Sequence, residues 1–522
     1  MILLRLNIIK RVKKKAIEKK DQKPKQDSKQ NLKQDPATIL NYTNLKNMLG
    51  SSEDIKYRDI ILNSNKEMTI HLVFIDGLVN SADVSNYVVK PLMENKNIQE
   101  AQNLDDVIKL LQDGVLYFAA QSNTTEIEKV ASEIVSGGCA ILFDNQNVGF
   151  IFDTKGFDRR PMMEPTVENV SKGPRDSFVE NYRTNTATVR RKIKTPDLMI
   201  EQRIIGDRTK STVAIVYIKN ITNDQIIQTA RDRLASIKTD SVLTTSIIED
   251  ALSDDLKSML PQVLTTERPD KFSADILEGR VGIIVDGLPF GFIVPGTFVQ
   301  FMQTAEDYSR KSIVSSFIRI IRFMSLSLAI FLPALYVAIT TFHPEMIPTN
   351  IVLFIAKSRE GVAFPTAIEA LGLLIAFEIL YEAGLRIPKS VGQTVSIVGT
   401  LVVGQAAVEA KLVSPSIVVI IAATAITSFT IPNQDLSNFV RLWRLICTVF
   451  GIALGLLGVV ISIILMTFSV CKLELFGVSY MSPFVGNEGK DILNDTIFRM
   501  PSKFNKFRPS ILKTKDAKRR GE

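Results

Sequence analysis

Three stretches in the last third of the chain run for 20 residues or more without a single charged side chain: 323–342, 413–432 and 445–471. A helix needs about 20 apolar residues to cross about 30 Å of hydrocarbon. Each run meets that length, and the longest, at 27 residues, would have to tilt or protrude. A buried core helix of a soluble protein seldom stays uncharged for so long, and here three such runs follow one another. The pattern predicts an integral membrane protein with a soluble N-terminal half and a C-terminal transmembrane helical bundle. Two further segments are mostly apolar but carry polar groups: 364–383 holds Glu369, Glu378 and Glu382, and 391–410 holds Gln393, Gln405 and Glu409. That makes about five hydrophobic segments, with four to six crossings open. The stretch 350–356 is too short to span and reads as interfacial or re-entrant.

Composition agrees with this segregation. Mean hydropathy is +0.14 and 46% of residues are hydrophobic, yet 23% are charged. The net charge of +8 belongs to the ends: about +8 sits in residues 1–35 and about +7 in 499–522, leaving about −7 between them. Basic tails of this kind suit anionic membrane lipids, at about 1 kcal/mol per basic residue near the surface. Nucleic acid is a poor alternative, because no aromatic-interleaved basic motif accompanies the charge. The opening decapeptide is interrupted by Arg5 and does not read as a signal peptide, so the soluble half is expected to stay cytoplasmic. Arg310, Lys311, Arg319 and Arg322 before the first run fit the positive-inside rule. Arg386 and Lys389, then Arg441 and Arg444, mark later loops the same way. Five crossings would put the basic C-terminus outside, which conflicts with its charge.

Ahead of the apolar runs, five parts are expected in the whole chain: a disordered basic arm (1–40), a first subdomain (41–175), a linker with a second subdomain (176–310), the helical domain (311–484) and a basic disordered tail (485–522). Strand-like and helix-like patterns alternate in the soluble half, an α+β or α/β signature. The hairpin at 139–152 matches 281–294 at an offset of about 142 residues, and the strand at 73–75 matches 216–218 at about 143. Asp144 falls on Asp286 and Gly149 on Gly291. Two elements at one offset predict an internal duplication, which differing strand orders would exclude. The polar stretch 173–198, with Arg175, Arg183, Arg190 and Arg191 among Asp176 and Glu180, reads as a linker.

Signatures of catalysis are missing. There is no phosphate-cradling glycine loop, dinucleotide fingerprint, nucleophile elbow or zinc motif. Cys139, Cys447 and Cys471 are too widely spaced for a framework, and His71 and His343 read as surface or packed imidazoles. Nothing points to an enzyme, a cofactor or a metal. The chemistry lies in the apolar third, where a carboxylate is costly and normally faces a protein interior or water. Glu378 and Glu382 are four apart, hence on one helix face, with Glu369 nearly opposite and Arg386 placed to pair with Glu382 at the boundary. Gln405 and Glu409 share a face. Glu369, Glu378, Glu382, Gln405 and Glu409 are therefore the candidate interior-facing residues. Gly399, Gly404, Gly451 and Gly455 would allow close helix approach, and Pro333 and Pro365 would kink or start helices.

Several long motifs resemble the A subunits of spore germination receptors, the GerA-type family of endospore-forming bacteria. They are GPRDSFVENYRTNTATVRRKIKTPDL (173–198), PALYVAITTFHPEMIPTNI (333–351), EAGLRIPKSVGQTVSIVGTLVVGQAAVEAKLVSPSIVVI (382–420) and GRVGIIVDGLPFGFIVP (279–295), with EDY at 306–308. Departures are local: Ser309, Ala363 and Lys411 stand where the family favours an aromatic, proline and glycine. The resemblance implies a subunit of a nutrient germinant receptor in the inner spore membrane, soluble half toward the core. It implies a transporter-like B subunit and a lipoprotein C subunit as partners, and homo-oligomers that form a nutrient-gated ion channel. A non-conducting scaffold is the alternative. A secondary transporter, typically built of about 10–12 spans with inverted repeats, fits less well.

Overall fold

A computed structural model describes residues 39–519 apart from 64, 117, 119, 144–145, 157–164, 166–167, 169, 387–402, 486–494 and 502. The basic arm up to residue 38, Asp144, Gly399 and residues 391–402 of the fifth apolar segment lie outside the described residues.

The N-terminal half contains two five-stranded sheets. The first is built of β1 (Ile55–Ile61), β2 (Thr69–Ile75), β3 (Gln121–Thr124), β4 (Cys139–Phe143) and β5 (Gly149–Phe152). The second is built of β6 (Leu198–Ile205), β7 (Ser211–Ile218), β8 (Leu264–Thr266), β9 (Val281–Val285) and β10 (Gly291–Val294). Their orders are β1-β2-β4-β5-β3 and β6-β7-β9-β10-β8, the same path traced twice. Corresponding strands start 142 or 143 residues apart, as with Ile55 and Leu198 or Cys139 and Val281. All the pairings are antiparallel, so the class is α+β rather than α/β.

Each sheet is covered on both faces. In the first, Ile70, Leu72, Ile141 and Phe150 pack with Val88, Val107 and Leu111, while Val73, Ala140 and Ile151 pack with Val130 and Ile134. Double burial explains why the inner strands read as continuous apolar runs. The four strands missed in the sequence, β1, β3, β6 and β8, are the edges of the two sheets. Edge strands carry polar residues on their open side, and the apolar signal fades.

The stretch expected to be a linker instead holds a helix, Tyr182–Lys192. Asn181 caps it, its side chain accepting from the Thr184 N–H at 3.1 Å. The helix reads as linker because four of its six buried residues are polar: Asn185, Thr186, Thr188 and Arg190, beside Ala187 and Val189. Arg190 is fully buried. It donates through Nε (3.1 Å) and Nη2 (2.9 Å) to Asp54 of the first subdomain, and through Nη1 (2.9 Å) to the Leu198 carbonyl of the second. The segment thus bolts the two sheets together.

The apolar third forms helices at Ser312–Phe342, Thr349–Ser358, Thr366–Arg386, Val403–Glu409, Pro415–Ser428, Gln434–Leu454 and Leu456–Lys472. Among the described residues, two of them, Ser312–Phe342 and Gln434–Leu454, are long and apolar enough to cross a membrane. The expected five long segments are not all seen. Gly455 breaks the 27-residue run at φ +62°. The chain then doubles back, so that Ser462 reaches Cys447. Run 413–432 is helical only from Pro415 to Ser428. Pro333 sits buried inside the first long helix. The carbonyl of Pro365 accepts from the Glu369 N–H at 3.1 Å at a helix start. A methyl added at Gly451 would stand 3.0 Å from the Ala334 carbonyl, a genuine close approach, whereas Gly404 has nothing within 4 Å. The C-terminal tail, expected to be disordered, has residues 503–519 placed against the second subdomain, with Leu512 buried in its core.

Candidate functional site

The Thr366–Arg386 helix carries three of the five candidate residues, and they meet different fates. Glu378 faces the Gln434–Leu454 helix, where Arg441 and Arg444, three residues apart, share a face. Arg441 donates from Nε to Glu378 at 2.7 Å and from Nη2 to the same oxygen. Arg444, fully buried, donates to the other oxygen and from Nη1 to Ser428 Oγ at 3.0 Å. The guanidinium of Arg441 lies 3.9 Å from the ring centre of Tyr381, and that of Arg444 lies 5.5 Å from Phe377. One carboxylate thus balances two cations among apolar helices. Breaking such a buried cluster by deleting one partner is costly, because a charge is left uncompensated.

Nine residues earlier, about 14 Å along a helix, Glu369 forms a second station. It is 2% exposed. Its Oε2 accepts from the Ser414 N–H (2.7 Å) and Oγ–H (2.8 Å), and Arg359 lies 3.6 Å from Oε1. Glu382 pairs with Arg386 at 2.8 Å, as its spacing predicts, but the pair is exposed. Gln405 and Glu409 are exposed as well. Among the described residues of a single chain, Glu369 and Glu378 are thus enclosed by arginine and serine partners, whereas Glu382, Gln405 and Glu409 lie exposed. Arg359, Ser414, Arg441 and Arg444 were not chosen from sequence. The i, i+3 spacing of two arginines at the edge of an apolar run was the available signal, and it had been taken only as a topology marker.

A third charged group forms the joint between soluble half and first long helix. Asp307, 3% exposed, accepts from Arg319 Nε (3.2 Å) and from Arg322 Nη1 (3.0 Å) and Nη2 (3.2 Å). Burial pushes the Asp307 carboxyl up, but Arg322 and Arg319 more than offset it and hold it below the usual carboxylate range. Arg319 also reaches Asp495 at 2.9 Å and the Thr496 carbonyl at 3.2 Å. In the second subdomain, burial and then the Asp435 charge push Glu249 up. Among the described residues no group of His, Cys, Asp and Glu is arranged to hold a metal ion.

Comparison with known proteins sets this geometry in a lineage. The family model described as Bacillus/Clostridium GerA spore germination protein matches residues 43–511. Spore germination protein KA of Bacillus subtilis (strain 168) is 37% identical over 487 residues, 93% of this chain and 89% of that one. Spore germination protein GerLA of Bacillus cereus is 35% identical over 473 residues, 91% and 95% of the two chains. A crystal structure of the N-terminal domain of the A subunit of the Bacillus megaterium spore germinant receptor GerK3 is 31% identical, covering 50% of this chain and 97% of that one at a TM-score of 0.38. The family model's match over most of the chain, with 37% and 35% identity to the two germination proteins across about nine-tenths of each chain, means that this chain belongs to the GerA family of spore germination proteins.

Proposed function

We propose that the chain is the A subunit of a nutrient germinant receptor in the spore membrane, and that copies of it assemble into a nutrient-gated ion channel. In this reading the soluble half faces the spore core, and the transporter-like and lipoprotein subunits are its partners. Family membership supports the receptor role. Large exposed apolar side chains on the helices, among them Ile368, Ile375, Ile379, Val419 and Ile426, need lipid or other subunits to cover them. The observation that carries the channel reading is Glu378 gripped by Arg441 and Arg444. A lone carboxylate between two arginines can hold one helix arrangement or release it, and the exposed Glu382, Gln405 and Glu409 on neighbouring segments are free to line a path between subunits.

The test is nutrient-triggered cation release from spores carrying Glu369→Gln, Glu378→Gln and Glu382→Gln, singly and together. Glu378→Gln is expected to slow release at least about tenfold, a loss of about 1.4 kcal/mol or more. Unchanged release in the triple variant would sink the pathway reading. A scaffold role is the second reading. It is favoured by Glu369, which is enclosed inside the chain by Ser414 and faced by Arg359, as a purely structural group would be. Purified protein that forms rings with a central opening supports the channel, and a monomer supports the scaffold.

A further inference from the structure

We propose that residues 495–501 and 503–519 form a detachable strap whose seat on the second subdomain and whose counter-charge to Arg319 are a single coupled state, so that lifting it loosens the joint at the start of the first long helix.

The near end of this segment completes the joint. Asp307 alone faces both Arg319 and Arg322, so without further help one positive charge would stay buried and unbalanced. Asp495 supplies the missing negative charge at 2.9 Å from Arg319, and it also accepts from the Tyr308 hydroxyl at 2.8 Å. Four residues on, the Arg499 N–H donates to Ser316 Oγ at 2.9 Å, and its guanidinium to the carbonyls of Arg310 (2.6 Å) and Tyr308 (3.1 Å). These contacts fix the strap to the first turns of the Ser312–Phe342 helix.

The far end is anchored elsewhere. Leu512, 1% exposed, enters the core formed by Ile226, Ile227 and Leu234. The Lys515 N–H donates to the Ile221 carbonyl at 2.9 Å, Arg508 Nε to the Leu277 carbonyl at 3.0 Å, and Arg519 pairs with Glu278 at 2.7 Å. Between the ends, Lys503, Phe504 and Phe507 are exposed. A cavity of about 350 Å³ lies under this span, lined by Asp275, Glu278, Tyr308, Asp495 and Phe507 among others. The segment is held by polar contacts, the buried Leu512 and the partly buried Ile511 beside it, not by a continuous core of its own. Regions with so few apolar contacts open well below the cost of global unfolding. Because the same segment anchors at one end and neutralises Arg319 at the other, each seated end raises the effective concentration of the other at its own site, and releasing one weakens the other.

The experiment is hydrogen exchange with mass spectrometry on the full chain in detergent. It compares wild type, the far-end variant Leu512→Ala/Arg519→Ala, Asp495→Asn, and Lys503→Ala as a surface control. The far-end substitutions touch no atom of the joint, so their effect stays readable even if Asp495→Asn fails to fold. Faster exchange is expected both in 508–519 and, by about fivefold or more, in 305–322, with β4 at the wild-type rate. Faster exchange in 508–519 with 305–322 unchanged overturns the coupling. No change in 508–519 overturns the anchoring, and faster exchange in β4 as well, or in the Lys503→Ala control, shows general loosening and equally counts against the strap. None of these outcomes depends on ion conduction.

Discussion

Arg190 and Arg444 meet one problem in two settings. Each guanidinium is fully buried, and each is answered by a carboxylate from a different element, Asp54 for the first and Glu378 for the second. Neither role was visible in the sequence, because the partner lies 136 residues away in one case and 66 in the other. What could be read was the reverse of the truth for Arg190: a run of Arg, Asn and Thr resembles solvated chain, and only the fold shows that Asp54, Ser52 and backbone carbonyls satisfy these groups. The Arg190→Ala variant should lose about 3–5 kcal/mol, the usual cost of stranding one member of a buried pair. Adding Asp54→Leu should recover part of that loss. Chemical denaturation of the full chain in detergent measures both, and a single variant within 1 kcal/mol of wild type, against those expected 3–5, would show that Arg190 is not a bolt.

Elements follow the same division between local and distant causes. The inner strands β2, β4, β7 and β9 were legible because burial on both faces leaves an apolar run. The edge strands were not, and neither was the break in the longest uncharged run. That break rests on small residues. Gly455 adopts φ +62°, a region that side chains with a Cβ disfavour. At Gly458 a Cβ would stand 1.9 Å from the Phe450 carbonyl oxygen, so the two helices after 434 can meet only over a bare backbone. Hydropathy alone cannot separate such a hairpin from one long span. Gly458→Ala should force the helices apart and lower the Tm of the purified protein by several degrees, as a change of about 1–3 kcal/mol from overpacking would. An unaltered Tm would mean that the doubled-back arrangement is wrong.

For the molecule as a whole, the duplication was legible because two sheets kept one spacing, whereas the path of the termini was not. The tail rests on the second subdomain, which predicts that both lie on one side of any membrane that the helices cross and that the number of crossings is even. In a cysteine-free background, Lys210→Cys and Lys503→Cys should react with an impermeant maleimide from one side, and Glu345→Cys, just beyond the first long helix, from the other. Labelling of the first two from opposite sides would refute the arrangement.

The buried Leu512 has a consequence for biosynthesis. It fills the core of a sheet whose last strand ends at Val294, 218 residues upstream. At about 5–20 residues per second, roughly 10–40 s of translation separate that strand from the side chain that completes its packing. The second subdomain is therefore made with the Leu512 site in its core unfilled while the apolar helices are synthesised. Its last stitch is available only after they have emerged, which ties the finished soluble fold to an already assembled helical half.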